Sequence, residues 1–264
     1  MSLRTLDDLV GSYIGGQPAI ALSGGLDSAS ILFHMLRQRK SEDNETVAIT
    51  ICFGDPQDNP TLELSKKIAD HFHVFQHIIQ VETQSFLVQM EKLQHYFREP
   101  RYNIWPIFLT QKARELGITQ LFSGEGADEI YGYPDRGYLE GWAGQLCYVD
   151  PAWQVCGHDQ GVEVVAPYLR MAAPKAPGVP RYQELFEPPG KRLQREMYQG
   201  LLPGWILNTI SQPPSNPLYT MLAKSWGMNF TPGFSLFDEV RQLLMVLTCN
   251  AWVKAWDGRD HDGV

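Results

Sequence analysis

Short apolar runs alternate with amphipathic segments over the first half of the chain. Four runs of apolar and β-branched residues predict buried strands, at residues 19–22, 46–53, 74–81 and 119–123. Segments with apolar residues at helical spacing predict helices, at residues 3–14, 26–39, 61–72, 84–97 and 104–116. This alternation predicts βαβ units and an α/β fold, a parallel twisted sheet with helices on both faces. Ligands in such folds bind at the carboxyl ends of the strands.

The last third of the chain has a different pattern. Residues 171–191 are rich in proline and predict a loop, whereas residues 234–256 predict a long helix. We therefore expect a nucleotide-binding domain at 1–175 and a C-terminal helical region at 176–264 packed on it. An uncharged run at 197–223 contains several prolines, which argues against a membrane span.

Composition and charge narrow the class of partner. The 264 residues are 44% hydrophobic, enough for a sizeable core, and carry a net charge of −8. No basic surface is evident, so a nucleic-acid partner is not expected. The four cysteines form no C-x-x-C pair, and the first residues contain no apolar signal segment. These features predict a cytoplasmic protein with reduced thiols that binds neither nucleic acid nor membrane.

Residues 22–28, "LSGGLDS", join the first predicted strand to the following helix. Gly24 and Gly25 lack a Cβ, so the backbone can approach a ligand, and successive N–H groups at a helix start can bind an anion. Asp27 is a poor neighbour for phosphate alone but suits a Mg²⁺ ion between carboxylate and phosphate. The alternative is that Asp27 and Ser28 only cap the helix. The Walker pattern G-x-x-x-x-G-K-[ST] does not occur in the chain.

A second glycine-rich turn with acidic residues lies at 121–133, "LFSGEGADEIYGY". Together, "LSGGLDS" and "SGEGADE" resemble the pyrophosphate loop and the second signature of the asparagine synthetase and β-lactam synthetase family, a branch of the N-type ATP pyrophosphatases. "GVEVVAPYL" at 161–169 is more weakly similar to that family's "IEARVPFLD". The resemblance covers residues 15–170 well and implies an adenine nucleotide alpha hydrolase-like fold.

The resemblance implies an ATP-dependent ligase that forms an amide (C–N) bond. A substrate carboxylate attacks the α-phosphate of ATP, pyrophosphate leaves, and ammonia or an amine then displaces AMP from the acyl-adenylate. The implied cofactors are ATP and Mg²⁺, with Asp27 and Asp128 as metal carboxylates. The implied nucleotide-binding residues are Leu22, Ser23, Gly24, Gly25, Asp27, Ser28, Ser123 and Gly124. Glu125 falls close to the acyl centre, and Glu163 matches an acid that helps deprotonate the amine; the alternative for Glu163 is a salt bridge to Arg170.

Three departures from the family pattern bear on activity. The chain begins "MSLR" without a glutaminase half, so we expect free ammonia, a substrate amine, or ammonia from a separate amidotransferase or pathway protein. Thr209 and Ser211 fall where the family has arginine and lysine, and a lost cation weakens stabilisation of the developing phosphate charge. Three other cations are candidates to replace it: Lys224, Lys191 and Arg192. Of these we assign Lys224 to the predicted catalytic set. Arg170 replaces a family acid, so the pocket is not expected to suit aspartate.

Three histidines, His71, His73 and His77, lie close together in the sequence. A zinc site would require their side chains to converge. Because they straddle a predicted helix end and a predicted strand, a polar surface is the favoured interpretation.

The combined interpretation is a synthetase of a specialised or natural-product pathway. It would join a small-molecule carboxylate to ammonia or an amine, and an oligomer is possible. The alternative is a catalytically altered, nucleotide-binding partner or regulatory subunit of an asparagine synthetase-like complex. A tRNA-modifying enzyme is disfavoured by the acidic charge.

Overall fold

The computed structural model describes residues 3–15, 17–38, 46–131, 151–171, 190–209, 215–228 and 234–257. Its strands are β1 (Ala19–Ala21), β2 (Val47–Phe53), β3 (Phe75–Val81), β4 (Gln120–Phe122) and β5 (Glu163–Val165). Its first helices are α1 (Leu3–Tyr13), α2 (Leu26–Arg37), α3 (Pro60–His71), α4 (Thr83–Leu93), α5 (Pro106–Glu115) and α6 (Ala127–Tyr131). The later helices are α7 (Pro151–Gln160), α8 (Pro167–Arg170), α9 (Arg192–Met197), α10 (Gly204–Leu207), α11 (Ser215–Ser225) and α12 (Phe234–Asp257). Short 3₁₀ turns lie at Pro56–Asp58 and Gln94–Tyr96.

The described strands form one sheet in the order β3-β2-β1-β4-β5, with every pair parallel. After β1 the chain builds outward through β2 and β3, and then returns to the other side of β1 to place β4 and β5. The strand order therefore reverses between β1 and β4. In open parallel sheets, ligands bind at this switch point, outside the carboxyl ends of the two strands.

Neighbouring residues on the central strands point to opposite faces of the sheet, as the two-residue period of a strand requires. Ile20 on β1 packs with α1, α2, α9 and α10, whereas Ala19 packs with α5 and α7. Phe122 and Leu121 on β4 divide in the same way between these two cores. Because both faces of the sheet are covered at its centre, β1 and β2 are nearly continuous apolar runs, whereas the edge strand β3 carries polar and exposed residues. The predicted α/β fold with helices on both faces is confirmed.

The C-terminal helices share a core with the sheet region. Leu222 on α11 and Leu244 on α12 belong to the same buried cluster as Phe53 at the end of β2 and Met90 on α4. The predicted division near residue 175 falls in residues 172–189, which lie outside the described residues, and it stays a prediction. None of the helices in the described ranges is both long and apolar enough to cross a membrane.

The elements missed from the sequence are short or have weak periodicity. The strand β5 has three residues and begins with an exposed glutamate, so no alternating pattern can develop. Most of helix α11 lies in the uncharged, proline-containing run at 197–223, for which the sequence pattern predicted no helix. The predicted loop at 171–191 lies mostly outside the described residues. These elements depend on tertiary packing more than on local pattern.

A buried polar network fastens α9 to α2 and α1. The ring of His34 on α2 contacts Asp7 on α1 through Nδ1 at 2.7 Å and the Tyr198 hydroxyl through Nε2 at 2.8 Å. Burial lowers the pKa of His34 below its usual value, against the opposing effect of Asp7. The neutral ring therefore donates from Nδ1 to Asp7 and accepts at Nε2 from Tyr198. Tyr198 follows directly after α9, so this bond fixes the position of that helix.

We expect Tyr198→Phe to lower the free energy of unfolding by about 1–2 kcal/mol, because it leaves Nε2 of the buried His34 without a donor. Urea denaturation would measure the loss. Tyr13→Phe on α1 is the control, since its hydroxyl does not take part in this network. Equal unfolding midpoints for Tyr198→Phe and the unmodified protein would contradict the role given to the hydrogen bond.

Candidate functional site

Two glycine-rich loops meet at the switch point between β1 and β4. One joins β1 to α2 and the other joins β4 to α6. A Cβ built on Gly124 would lie 3.0 Å from Cβ of Asp27 and 3.0 Å from the backbone nitrogen of Ser28. The absence of a side chain at Gly124 therefore lets the two loops touch, which brings their acidic residues to one place.

The loop after β1 is held by its own serines. The Ser23 N–H donates to Oγ of Ser28 at 3.2 Å, the two hydroxyl groups lie 3.1 Å apart, and the Ser28 hydroxyl also lies 3.2 Å from the Gly25 carbonyl. Gly24 has φ of +84°, and a Cβ there would lie 2.5 Å from the Thr61 carbonyl oxygen. No side chain caps the start of α2 at Gly25. The Asp27 side chain therefore does not cap the helix, in contrast to the simpler interpretation of this motif.

The central contact of the site is an ammonium group between two carboxylates. Nζ of Lys191 donates to Oδ2 of Asp27 and lies 2.5 Å from Oδ1 of Asp128. The lysine side chain is 4% exposed, Asp27 is 19% exposed and Asp128 is 37% exposed. Burial by itself lowers the pKa of Lys191, but the two carboxylates outweigh it and raise that pKa above its usual value. Lys191 is thus charged and paired.

The backbone around Lys191 is fixed by the start of α9. Lys191 has φ of +55°, the left-handed region, immediately before the helix. The Arg195 guanidinium donates to the carbonyl of Gly190 at 2.6 Å and to the carbonyl of Thr209 at 3.0 Å. Burial lowers the pKa of Arg195, while nearby Asp27 opposes that shift. The Arg195 guanidinium group is therefore a second cation next to the backbone that carries Lys191.

Aromatic and amide side chains hold the backbone at Asp27. The Tyr168 hydroxyl lies 3.3 Å from the Asp27 carbonyl oxygen and accepts a hydrogen bond from Gln194 at 3.1 Å. Tyr131 packs edge-to-face on Tyr168, and burial raises the pKa of Tyr131 to about 12. These neutral groups keep the backbone of α2 in place without adding charge to the site.

The donor set at this point fits a divalent cation. Oδ1 of Asp27 is buried and accepts no hydrogen bond from the residues that the structure describes. Asp27 and Asp128 already hold the Lys191 ammonium group between them, so this position favours a positive charge. Mg²⁺ commonly takes one or two carboxylates, with water and phosphate oxygens completing its ligands. Asp27 and Asp128 could therefore hold such an ion.

Most of the predicted site residues lie on these two loops or in the first turns of the helices that follow them. They are Leu22, Ser23, Gly24, Gly25, Asp27, Ser28, Ser123, Gly124, Glu125 and Asp128. The Leu22 N–H donates to the Ile49 carbonyl at 2.9 Å, which ties the first loop to β2. The Glu125 N–H donates to Oγ of Ser123 at 3.2 Å, so Glu125 stands at the turn of the second loop. The individual roles of these residues stay predictions.

Two predicted catalytic residues are placed elsewhere. Glu163 is the first residue of β5, at the amino edge of the sheet, and its exposed carboxylate accepts a hydrogen bond from Gln120 at 2.8 Å. Lys224 on α11 is 54% exposed and pairs with Asp58. The structure therefore differs from the predicted arrangement, since it brings Lys191, and not Lys224, to the two carboxylates. Ser211, where a lysine was expected, lies outside the described residues.

The three neighbouring histidines do not form a metal site. The His71 ring packs against Phe72 and Trp205, and the His77 ring packs against Phe75. In the described part of the chain, no three His, Cys, Asp or Glu side chains are close enough to share a metal ion.

Sequence reasoning missed the supporting residues Tyr168, Gln194 and Arg195. Tyr168 lies within "GVEVVAPYL", which was noted only as a similarity. Gln194 and Arg195 lie in the segment that also supplied Lys191 and Arg192 as candidate cations. The helical spacing of Lys191 and Arg195, one turn apart, is the signal that could have found Arg195.

We expect Gly124→Ala to destabilise the protein by about 1–3 kcal/mol and to weaken nucleotide binding, because the added methyl group forces the two loops apart. Thermal unfolding and a titration with ATP and MgCl₂ would measure both effects. Gly204→Ala is a matched control, since a Cβ at Gly204 meets no atom within 4 Å. Equal effects of the two substitutions would contradict the contact between the loops.

The sequence of the chain is similar to that of a known protein family. The family model described as Asparagine synthase matches residues 16–153. The chain is 30% identical over 131 residues to "Asparagine synthetase [glutamine-hydrolyzing] 2" of Arabidopsis thaliana, a match of 46% of this chain and 22% of that protein. The protein of the same description from Oryza sativa subsp. japonica is 30% identical, with 46% and 21% covered. The matched part therefore spans about a fifth of the length of these relatives.

Two synthetases are among the solved structures that align with the chain. NMN synthetase from Francisella tularensis aligns with a TM-score of 0.42 and 12% identity, covering 95% of this chain and 94% of that chain. The NH3-dependent NAD synthetase from Campylobacter jejuni subsp. jejuni aligns with a TM-score of 0.41 and 13% identity, covering 100% and 99%.

Proposed function

The chain belongs to the asparagine synthase family, and from that premise we propose that it is an ATP-dependent ligase that forms a carbon–nitrogen amide bond. The observation that carries the proposal is the meeting of Asp27 and Asp128 on Lys191 at the switch point of the sheet. Both carboxylates lie in the first turns of helices that follow the carboxyl ends of strands, where α/β folds bind nucleotides.

The first proposed step is adenylation of a substrate carboxylate. A carboxylate oxygen bonds to the α-phosphorus of ATP, the bond from that phosphorus to the bridging oxygen breaks, and pyrophosphate leaves. The Ser23–Ser28 segment, held by the two serine hydroxyls, lies at the start of α2. A helix N-terminus there would favour the developing negative charge. Phosphoryl displacement needs positioning and charge neutralisation more than covalent help from the protein.

The second proposed step is attack by ammonia or an amine on the acyl carbon. The C–N bond forms, the bond from the acyl carbon to the AMP oxygen breaks so that AMP leaves, and the nitrogen releases a proton to solvent. Glu125 lies on the second loop, at the turn that follows β4, and is our candidate for a group near the acyl centre. Glu163 lies at the other edge of the sheet and is not included in this proposal.

Lys191 supplies the positive charge that the residues at 209 and 211 do not provide. Its ammonium group is buried between the two acidic loops. It would turn to a phosphate once Mg²⁺ takes its place at the carboxylates, and would then stabilise the developing charge. When bound, Mg²⁺ would neutralise phosphate charge, and Asp27 and Asp128 would hold it. Arg195 keeps Lys191 in position through the Gly190 carbonyl.

The proposed substrate acid is a small molecule other than aspartate, in a specialised pathway. Arg170 at the end of α8 replaces an acid of the family pattern, and this exchange of charge supports a different acid. Ammonia, a substrate amine, or a separate amidotransferase would supply the nitrogen.

Exchange of labelled pyrophosphate into ATP, screened over a panel of carboxylic acids that includes aspartate, tests the first step. We expect exchange that requires one acid of the panel, and AMP rather than ADP once ammonia or an amine is added. Reactions without an acid are the control. Formation of ADP would overturn the adenylation proposal. ATP binding with no exchange for any acid would favour the alternative, a nucleotide-binding partner subunit.

A further inference from the structure

Helix α12 is packed along one side only. Its buried positions are Val240, Leu244, Thr248 and Ala251, which recur every three or four residues and face the core shared with α4 and α11. The indole of Trp252 also donates to the Phe97 carbonyl at 2.9 Å. The opposite side of this 24-residue helix faces outward.

The outward side carries a second stripe with heptad spacing, which we call the outer stripe. Its members are separated by four, three, four and three residues, and all are exposed: Glu239, Leu243, Val246, Asn250 and Val253. Val246 is 55% exposed and Val253 is 46% exposed. A spacing of four and three residues is that of helices that pair along their length.

From Leu243 to Val253, the outer stripe contains no charge over three turns. Residues 242–253, "QLLMVLTCNAWV", include no Asp, Glu, Lys or Arg. A helix face that remains in water normally carries charged residues. An uncharged face with exposed Leu243, Val246 and Val253 is typical of a surface that another helix covers.

Charges at the two ends of the stripe specify the orientation of the covering helix. Glu239 precedes Val246 by seven residues and Lys254 follows it by eight. In an antiparallel pair of α12 helices about a two-fold axis at Val246, Glu239 lies within one residue rise, about 1.5 Å, of the level of the partner's Lys254. A parallel pair would instead place Glu239 beside the partner's Glu239.

We propose that the outer stripe of α12 is the surface through which two copies of this chain associate, with antiparallel helices. Val246 lies on the two-fold axis, and the pair of Glu239 with the partner's Lys254 occurs twice. A two-fold contact uses the same patch on both copies, and the stripe is centred on Val246 as this requires. The association is independent of the proposed catalytic step.

Cross-linking across the axis tests the position of the interface. In a Cys249→Ser background, we expect Val246→Cys to give a disulfide-linked dimer under mild oxidation. Val88→Cys in the same background is the matched control, because Val88 on α4 is 49% exposed and lies outside the stripe. Equal cross-linking of the two variants, or none for Val246→Cys, would overturn the proposal.

Charge reversal tests the orientation. We expect Glu239→Lys alone, or Lys254→Glu alone, to raise the dimer dissociation constant about tenfold in sedimentation experiments, and the double variant to restore it. We expect Val246→Glu to give a monomer that keeps its circular dichroism spectrum. A protein that is monomeric at every concentration, or a double variant no tighter than the single ones, would overturn the proposal.

Discussion

We expect Lys191→Met to lower the free energy of unfolding by about 3 kcal/mol, because it leaves two carboxylates facing each other without a counter-charge. The remaining pair of Asp27 and Asp128 is a site with two carboxylate ligands, so millimolar MgCl₂ should recover part of the loss. The unmodified protein should respond less to MgCl₂ alone, since Lys191 already lies between the carboxylates. Thermal unfolding with and without MgCl₂ measures both effects.

Lys224→Met is the matched control for this experiment. Lys224 makes an exposed ion pair with Asp58, and such pairs contribute less than about 1 kcal/mol. We expect a small loss of stability that does not depend on MgCl₂. If the two lysine variants were equally stable, or if MgCl₂ failed to distinguish them, the buried contact of Lys191 would not have the importance given to it here.

Asp27→Asn is expected to reduce pyrophosphate exchange by about 100-fold or more, a loss of the size seen when one group that stabilises a transition-state charge is removed. The substitution keeps the shape of the side chain but removes the charge that faces Lys191 and would hold Mg²⁺. The fold should survive, because the asparagine oxygen can still accept from Nζ. Exchange rates and the affinity for ATP with MgCl₂ measure the effect.

Asp8→Asn on α1 provides a control for Asp27→Asn. Asp8 is exposed and lies on α1, outside the two loops of the site, so its variant should exchange at the rate of the unmodified protein. If Asp27→Asn exchanged equally well, the carboxylate would have no role in catalysis. If the unmodified protein bound ATP without exchange and Asp27→Asn bound it as tightly, the nucleotide-binding partner subunit would become the better interpretation.

The two acidic loops could be located from the sequence because each motif is local. "LSGGLDS" and "SGEGADE" each follow a short apolar strand, and the rule for parallel sheets then places both loops at one edge. Their direct contact through Gly124 follows from the strand order, in which β4 returns beside β1. For this part of the site, pattern and topology were sufficient.

Lys191 could not be selected over other cations from the sequence. It lies 164 residues from Asp27 and follows a proline-rich segment without periodicity, so no spacing rule links the two. Lys224 lay nearer to the expected position at Ser211, but α11 directs it to Asp58 instead. Glu163 was matched within a short motif, and the register with Gln120 places it at the other edge of the sheet.

The hydrogen bond from Tyr198 to His34 has a consequence for the order in which the molecule matures during synthesis. Asp27 and Asp128 emerge from the ribosome before residue 191, so a nascent chain holds two mutually repelling anions until a much later segment arrives. The hydrogen bond between His34 on α2 and Tyr198 at the end of α9 then holds α9 where the Lys191 ammonium group meets Asp27. A chain that terminates before residue 191 would retain both signature loops and yet lack the ammonium group that offsets the repulsion between their carboxylates.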